Sequence, residues 1–160
     1  MTELKIIKDS KTLLRTIQKY KLKKKKIGFV PTLGSLHKGH LELIRLAKKN
    51  SDVVVVSIFL NPLQFNSKID FKKYPINPTA DKKKIYKEKV NILYTPTIKE
   101  VFPDNNIQKL KASKKAKKLC GRFRKGHFDG VVTVLKSFFK QVLPTIVFFG
   151  EKDFQQILIV

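Results

Sequence analysis

The sequence predicts an α/β fold built on a doubly wound parallel sheet. Short apolar segments bounded by Gly, Pro or Asn alternate with longer segments in which apolar residues recur at helical spacing. The segment 52–59 is nearly continuous in valine, which is typical of a strand buried on both faces of a parallel sheet. Strands that alternate with helices are joined by right-handed crossovers, so we expect helices on both faces of the sheet.

Turn chemistry sets the first predicted elements. A helix is expected over 9–19, where Asp9 or Ser10 can cap the free amides of its first turn. The apolar segment 27–30 is too short for a helix and lies between helix breakers, so it is predicted to be a strand. The residues after Gly39 repeat apolar side chains at helical spacing and predict a helix over 39–49.

The valine-rich strand at 52–59 ends at Asn61-Pro62, which begins a predicted loop through residue 75. The polar, basic segment 99–119 is predicted to be a mobile excursion with weak strand or helix. The last four residues, ILIV, fit the start of a helix or a strand equally well. The remaining predicted elements are a helix over 79–89, a strand over 90–94, a helix over 131–142 and a strand over 145–149.

Two histidines lie where the helix after the 27–30 strand begins. A helix N-terminus carries unpaired amides and a partial positive charge, and therefore attracts anions. His37 and His40 fall on one side of the first turn, and Gly39 between them allows close approach to the backbone. Imidazole donates to phosphate and can strengthen this role by taking a proton. Ordinary surface histidines remain an alternative, whereas zinc is disfavoured because the sequence has only three histidines and one cysteine.

Polar side chains also follow two other predicted strands. Gln64 follows the strand 52–59, and its amide suits a hydroxy acid because it both donates and accepts, although it could instead only structure a loop. Lys152 and Gln156 follow the strand 145–149, where the lysine can contact phosphate or simply be solvated. Since the carboxyl ends of parallel strands meet at one edge, we expect a single site there. Arg124 and His127 lie before the helix predicted over 131–142. Both could order the rim of that site, or His127 could only cap or pack locally.

Four segments carry a family resemblance: VPTLGSLHKGH at 30–40, VVVVSIFLNPLQ at 53–64, RKGHFDGV at 124–131 and FGEKDFQQ at 149–156. In order and spacing they resemble the pantothenate synthetase (pantoate–β-alanine ligase) family of the nucleotidylyltransferase superfamily, in which His-x-Gly-His holds ATP. The resemblance covers nearly the whole chain, most firmly 27–156. It implies a Rossmann-like fold of the HxGH nucleotidylyltransferase type.

The resemblance implies a two-step ligation. Pantoate attacks the α-phosphorus of ATP to give pantoyl adenylate and pyrophosphate, and β-alanine then displaces AMP to give pantothenate. Magnesium accompanies ATP and shields its charge. Relatives of this kind are typically homodimers through this domain, and no residue is expected to be a resident metal ligand.

The resemblance also implies roles for individual residues. His40, as the acid, together with His37 and Lys152 would be catalytic. Gln64 and Gln156 would bind pantoate, and Gln64 would also bind β-alanine. Asp153 could hold Lys152, a magnesium water or a ribose hydroxyl. The ATP-binding residues implied are Leu33, Gly34, Ser35, Leu36, His37, Lys38, Gly39, His40, Gly150, Glu151, Lys152 and Asp153.

The sequence departs from the family pattern at three places. Leu33 stands where methionine is usual, and Lys125 stands where proline is usual. Family members continue beyond the last motif with a further strand, a Ser/Arg loop and a second domain. We therefore expect 1–160 to be a nucleotide-binding domain truncated at its C-terminal end, with weak ATP binding and little or no ligase activity alone.

A formal net charge of +23 permits non-specific binding of polyanions. The lysine clusters lie in separate parts of the sequence with few aromatics between them, which disfavours a nucleic-acid-binding module. That module, and another HxGH adenylyl transferase, remain the alternatives. One cysteine, a charged N-terminus and apolar runs too short for a bilayer predict a cytoplasmic protein with no membrane partner.

Overall fold

The computed structural model describes residues 3–103, 107 and 109–160. Its five strands form one parallel sheet in the order β1-β4-β3-β2-β5. This topology confirms the predicted α/β fold with a parallel sheet. The strands are β1 (Lys5–Ile7), β2 (Ile27–Thr32), β3 (Val53–Ile58), β4 (Ile92–Tyr94) and β5 (Ile146–Val147).

Helices cover both faces of this sheet, as the doubly wound prediction requires. Single turns of 3-10 helix lie at Pro62–Gln64, Lys114–Lys117 and Glu151–Asp153. The α-helices are α1 (Ser10–Leu22), α2 (Lys38–Asn50), α3 (Lys68–Lys73), α4 (Pro78–Lys87), α5 (Ile98–Val101), α6 (Cys120–Phe123), α7 (His127–Val142) and α8 (Phe154–Ile159).

The core consists of two apolar clusters on opposite faces of the sheet. Alternation along β2 sends Phe29 to the cluster shared with α1 and α7, and Val30 to the cluster shared with α2 and α4. On the first face, the rings of Phe29 and Phe138 meet edge-on with centroids 5.7 Å apart. The valines of β3 are therefore buried from both sides, which explains their continuous run.

The strand order reverses at β2, which pairs with β3 on one side and with β5 on the other. The pairing with β5 is short and ends after the Phe148 amide donates to the Phe29 carbonyl over 2.9 Å. Beyond that point β2 continues to Thr32 beside β3, and β5 gives way to a loop. The two strands therefore part at their carboxyl ends, where open α/β sheets bind ligands.

Pro31 lies in the middle of the sheet, where proline is normally excluded. The carbonyls of Ile27 and Phe29 accept bonds on the β5 side, so the backbone of Pro31, two residues later, faces the same side. There β5 no longer pairs, and the missing N–H of Pro31 leaves no ladder bond unmade.

Several predicted boundaries differ from the observed ones. The three-residue strand β1 was missed because only Ile7 of its three residues is buried. The predicted loop through residue 75 contains α3, and α7 begins at His127, ahead of the predicted residue 131. The last residues adopt a helix, which settles the two readings of ILIV.

The predicted excursion over 99–119 contains the end of α5 and one 3-10 turn, while its residues 104–106 and 108 lie outside the described residues. Within the described part of the chain, no helix is long and apolar enough to cross a membrane.

Candidate active site at the carboxyl ends of the strands

A cavity of about 540 Å³ opens at the carboxyl ends of β2, β3 and β5, between α2 and α7. The structure brings side chains from all three post-strand loops to this one place. The predicted site residues that line it are Leu33, Ser35, His37, His40, Gln64, Lys152, Asp153 and Gln156. Arg124 and His127, whose placement the sequence left open, line it as well.

A second cavity of about 350 Å³ adjoins the first on the β5 side. Both cavities are lined by His37, His40, Lys152, Asp153 and Gln156, so these residues lie between the two spaces. The second cavity adds Gly39, Gly150 and Glu151 from the predicted set. Together the two cavities form one cleft.

Three of the predicted ATP-binding residues line neither cavity: Gly34, Leu36 and Lys38. Leu36 is only 2% exposed and packs in the apolar cluster with α2 and α4. Lys38 is exposed at the start of α2. Gly34 has φ +90°, a left-handed backbone conformation that favours glycine, so its role is to form the turn.

Three consecutive backbone amides of the loop between β2 and α2, those of residues 34–36, already have acceptors. The amides of Ser35 and Leu36 donate to the two carboxylate oxygens of Asp81, each over 2.8 Å. The Gly34 amide donates to Thr32 Oγ1 over 3.2 Å. In this conformation these amides are occupied, so a phosphate would meet side chains here rather than a backbone nest.

His37 and His40 form a reciprocal cap at the N-terminus of α2. The Gly39 amide donates to His37 Nδ1 over 3.1 Å, and the His37 amide donates to His40 Nδ1 over 3.4 Å. An Nδ1 atom that accepts must carry no proton, so each ring holds its proton on Nε2. The two rings lie 4.1 Å apart between centroids and border both cavities. The cap therefore fixes the tautomer and leaves each Nε2–H available to a ligand.

Burial lowers the pKa of His40 from its ordinary 6.5 to about 4, with further lowering by His37 and Lys152. The ring is therefore neutral near pH 7 in the unliganded protein. The expectation that an imidazole here strengthens anion binding by taking a proton does not hold for free His40. A bound polyphosphate would reverse this balance, because its negative charge favours the protonated ring.

Gln64 is held by a neighbouring buried amide. Asn61 is fully buried, its Oδ1 caps the 3-10 turn at the Leu63 amide, and its Nδ2 donates to Gln64 Oε1 over 3.1 Å. The oxygen of the Gln64 amide is therefore occupied. Within the described residues no protein acceptor is found for Gln64 Nε2, which is free to donate to a ligand.

His127 begins α7 and is 8% exposed. Its Nδ1 lies 2.7 Å from the backbone carbonyl of Gln64, and because a carbonyl only accepts, Nδ1 must carry the proton. Burial lowers the pKa of His127, which keeps the ring neutral and leaves Nε2 as an acceptor. The sequence left two interpretations of His127 open, local packing and a place on the rim of the site. The structure supports both, because His127 bonds to Gln64 and also lines the cavity.

Gly130 allows α7 to approach the turn that carries Gln64. A Cβ atom at this position would lie 2.3 Å from the carbonyl oxygen of Leu63. In addition, Asn61 Nδ2 donates to the Gly130 carbonyl over 3.1 Å. The contact therefore fixes the Asn61–Gln64 turn against α7.

Consecutive glutamines at the start of α8 face different surroundings. Gln156 lines both cavities, whereas Gln155 is buried and its Nε2 donates to the Lys115 carbonyl over 3.1 Å. Gln155 thus ties α8 to the 3-10 turn at Lys114–Lys117. Sequence reasoning missed Gln155, as it missed Asn61 and Asp81. Of these three residues, only Asn61 is marked by a sequence pattern, because Asn61-Pro62 predicts the turn that ends the strand 52–59.

The fold is that of a Rossmann-like α/β domain, and its cleft lies at the topological switch point, where domains of this class bind ligands. The sequence profile described as pantoate-beta-alanine ligase matches residues 5–160. The chain therefore belongs to the pantoate–β-alanine ligase family, which confirms the resemblance seen in the sequence.

Curated relatives share close to half of their aligned residues with this chain. It is 45% identical over 156 residues to the pantothenate synthetase of Thermoanaerobacter pseudethanolicus, covering 97% of this chain and 55% of the relative. It is also 45% identical over 159 residues to that of Buchnera aphidicola subsp. Schizaphis graminum, covering 98% and 56%. The chain thus spans about half the length of the curated relatives it matches.

Solved structures agree with this assignment. The pantoate-beta-alanine ligase of Francisella tularensis, solved in complex with beta-gamma ATP and beta-alanine, superposes with a TM-score of 0.93 at 38% identity, covering 98% of this chain and 60% of that chain. Pantothenate synthetase from Thermus thermophilus gives a TM-score of 0.90 at 34% identity, covering 98% and 55%.

Proposed function

We propose that this chain supplies the ATP- and pantoate-binding part of a pantothenate synthetase. The whole enzyme condenses pantoate with β-alanine through pantoyl adenylate and releases AMP and pyrophosphate. The observation that carries the proposal is the single cleft shared by His37, His40, Gln64, Lys152 and Gln156. The family match and the relative solved with beta-gamma ATP and beta-alanine support it.

In the first step, a pantoate carboxylate oxygen forms a bond to the α-phosphorus of ATP, and the bond from that phosphorus to the leaving pyrophosphate breaks. Negative charge then grows on the phosphate oxygens. The Nε2–H groups of His37 and His40 and the ammonium of Lys152, which line both cavities, would stabilise this charge. His40 can give up a proton in this step only if bound ATP first raises its pKa.

Pantoate is assigned to the Gln64 end of the cleft. The Gln64 Nε2–H, held by Asn61, donates to the carboxylate or a hydroxyl of pantoate, and Gln156 contacts the same substrate from α8. In the second step the amine of β-alanine attacks the acyl carbon, the bond to AMP breaks, and the nitrogen loses a proton. No covalent enzyme intermediate is required, so positioning is the main task of these side chains.

Magnesium fits this cleft only as a partner of ATP. Among the described residues no group of three or more His, Cys, Asp or Glu could hold a metal. Mg²⁺ often binds through one or two carboxylates together with substrate phosphates, and Asp153 is the carboxylate that lines both cavities. Asp153 would hold the ion or one of its waters, and the ion would shield phosphate charge. The homodimer, the second domain and the cytoplasmic location stay predictions.

The proposal is tested by ATP–pyrophosphate exchange with pantoate, backed by equilibrium titration of the chain with ATP. We expect exchange that is slow, requires pantoate and is not supported by other carboxylic acids. His40→Ala and Lys152→Gln should abolish it. Lys49→Gln removes an equal charge at the far, exposed end of α2 and should bind ATP like the wild type.

ATP titration tests the nucleotide site and the pantoate site separately. ATP that binds with wild-type affinity to Lys152→Gln would contradict the proposed phosphate site. ATP binding without any response to pantoate would leave a nucleotide site and remove the pantoate assignment.

A further inference from the structure

Asp81 lies outside the cleft but is bound to the loop that leads into it. It is 2% exposed, sits in the first turn of α4, and lines neither of the two cavities. Its two carboxylate oxygens accept the consecutive amides of Ser35 and Leu36, both at 2.8 Å. Bonds to an ionised acceptor are stronger than bonds between neutral groups.

A second group from α4 completes the attachment. Lys84, one turn after Asp81, donates from Nζ to the carbonyl of Leu36. Leu36 is therefore held at both its N–H and its C=O, and its side chain is buried in the same apolar cluster as Ile44 and Ile85. The next residue along the chain is His37, whose ring and amide form the reciprocal cap with His40.

The held segment has an uncommon backbone. Gly34 has φ +90°, and Ser35, which is not glycine, has φ 51°. A non-glycine residue in the left-handed region persists where its surroundings hold it. That restraint comes from two hydrogen bonds: the Ser35 amide donates to Asp81, and the Ser35 hydroxyl donates to the Pro75 carbonyl over 2.7 Å.

We propose that Asp81 is a positioning residue, which through the Ser35 and Leu36 amides sets where the His37–His40 pair presents its Nε2–H groups to the nucleotide phosphates. Asp81 does not touch the substrate and acts only through the loop. The claim that the imidazoles meet nucleotide phosphates rests on the proposed function. The claim that Asp81 positions the loop and the imidazoles does not.

The test compares Asp81→Ala and Asp81→Asn with Asp9→Ala. Asp9 is the control, because it is an exposed carboxylate that also accepts a backbone amide at a helix start, from Thr12 over 2.7 Å. It lies at α1, which contributes nothing to the lining of the cleft. For each variant, ¹⁵N spectra report the imidazole tautomers, amide hydrogen exchange reports Ser35 and Leu36, and titration reports ATP affinity.

We expect both Asp81 variants to lose protection at Ser35 and Leu36, to shift the Nδ1 signals of His37 and His40, and to weaken ATP binding by about tenfold or more. Asp9→Ala should lose stability without any of these changes. Folded Asp81 variants with wild-type imidazole signals and ATP affinity would overturn the proposal.

If an Asp81 variant does not fold, the wild-type protein still tests whether the Ser35 and Leu36 amides are bonded to Asp81. Ser35 and Leu36 amides that exchange as fast as exposed loop amides in the wild type would overturn the proposal. If the wild type binds no ATP, the proposed function fails, and the imidazole and exchange data still decide the role of Asp81.

Discussion

The side chain of Asn61 donates a hydrogen bond to Oε1 of Gln64, three residues later, over 3.1 Å. Asn61 is fully buried and makes two further bonds, to the Leu63 amide and the Gly130 carbonyl. A buried amide with these partners fixes which end of the Gln64 side chain faces the cleft. Asn61 therefore leaves the Nε2–H of Gln64 to face the cleft, where the proposed function assigns pantoate.

Replacing Asn61 should separate pantoate binding from ATP binding. Asn61→Ala leaves the Leu63 amide without its acceptor and removes the donor to Gln64 Oε1 and to the Gly130 carbonyl, at a cost of about 2 kcal/mol in unfolding free energy. With Gln64 free to turn, we expect pantoate-dependent exchange to disappear while ATP affinity stays within twofold, roughly. Urea unfolding and ATP titration measure the two effects. Asn50→Ala is the control, because the exposed Asn50 amide donates to the Leu46 carbonyl within α2, away from the cleft.

The two roles of His37 can be tested apart. His37→Ala removes both the cap of α2 and the ring, so it should lower stability by about 1 kcal/mol and weaken ATP binding. His37→Asn restores a good capping side chain but not the Nε2–H donor. We expect it to unfold like the wild type and bind ATP like His37→Ala. An asparagine variant with full ATP affinity would show that the ring is not a phosphate ligand.

The low pKa of His40 predicts how stability depends on pH. The unfolded state takes up a proton near pH 6.5 and the folded state only near pH 4, so the unfolded state binds more protons between these values. Stability from this group is therefore lost as the pH falls from about 6.5 to 4. Allowing for solvent around the half-buried ring, we expect a loss of about 1–2 kcal/mol.

Thermal unfolding at several pH values, with and without His40→Gln, measures this difference. The wild type should lose more stability than the variant across that range. His127, whose pKa is also lowered, adds a loss of the same sign that is common to both proteins. Parallel curves for the two proteins would contradict the low pKa of His40.

Gly130 should tolerate no side chain. Gly130→Ala places a Cβ 2.3 Å from the Leu63 carbonyl oxygen, and the backbone on both sides must move, at a cost of about 3 kcal/mol. Gly126→Ala is the contrasting variant, since its φ of +77° is strained but no atom lies within 4 Å. It should cost about 1 kcal/mol. Equal losses in denaturant unfolding would mean that the close approach of α7 does not matter.

The sequence predicted the sheet because its signals are local and strong. The valines of β3 must be buried on both faces, and a run of this kind permits few alternatives. The strand β1 was missed for the opposite reason, since it has three residues and only Ile7 is buried. Its place at the edge is decided by pairing with β4, which lies far away in the sequence.

The cleft could be predicted as far as topology determines it. His37, Gln64 and Lys152 each follow a strand, and parallel strands bring such residues to one edge. The supporting residues could not be found in this way. Asp81 is a buried carboxylate inside a charged helix, and its sequence neighbourhood of lysines resembles a solvated face. Its partners are more than forty residues away.

Pro31 gives the parting of β2 and β5 a chemical cause. With any other residue at this position, an amide hydrogen would point toward β5, and the shortest way to satisfy it would be to continue the pairing of the two strands. The sheet would then gain a hydrogen bond between β2 and β5 at the position where the cleft opens. One absent hydrogen atom in the interior strand β2 thus keeps the floor of the cleft from closing into ordinary sheet.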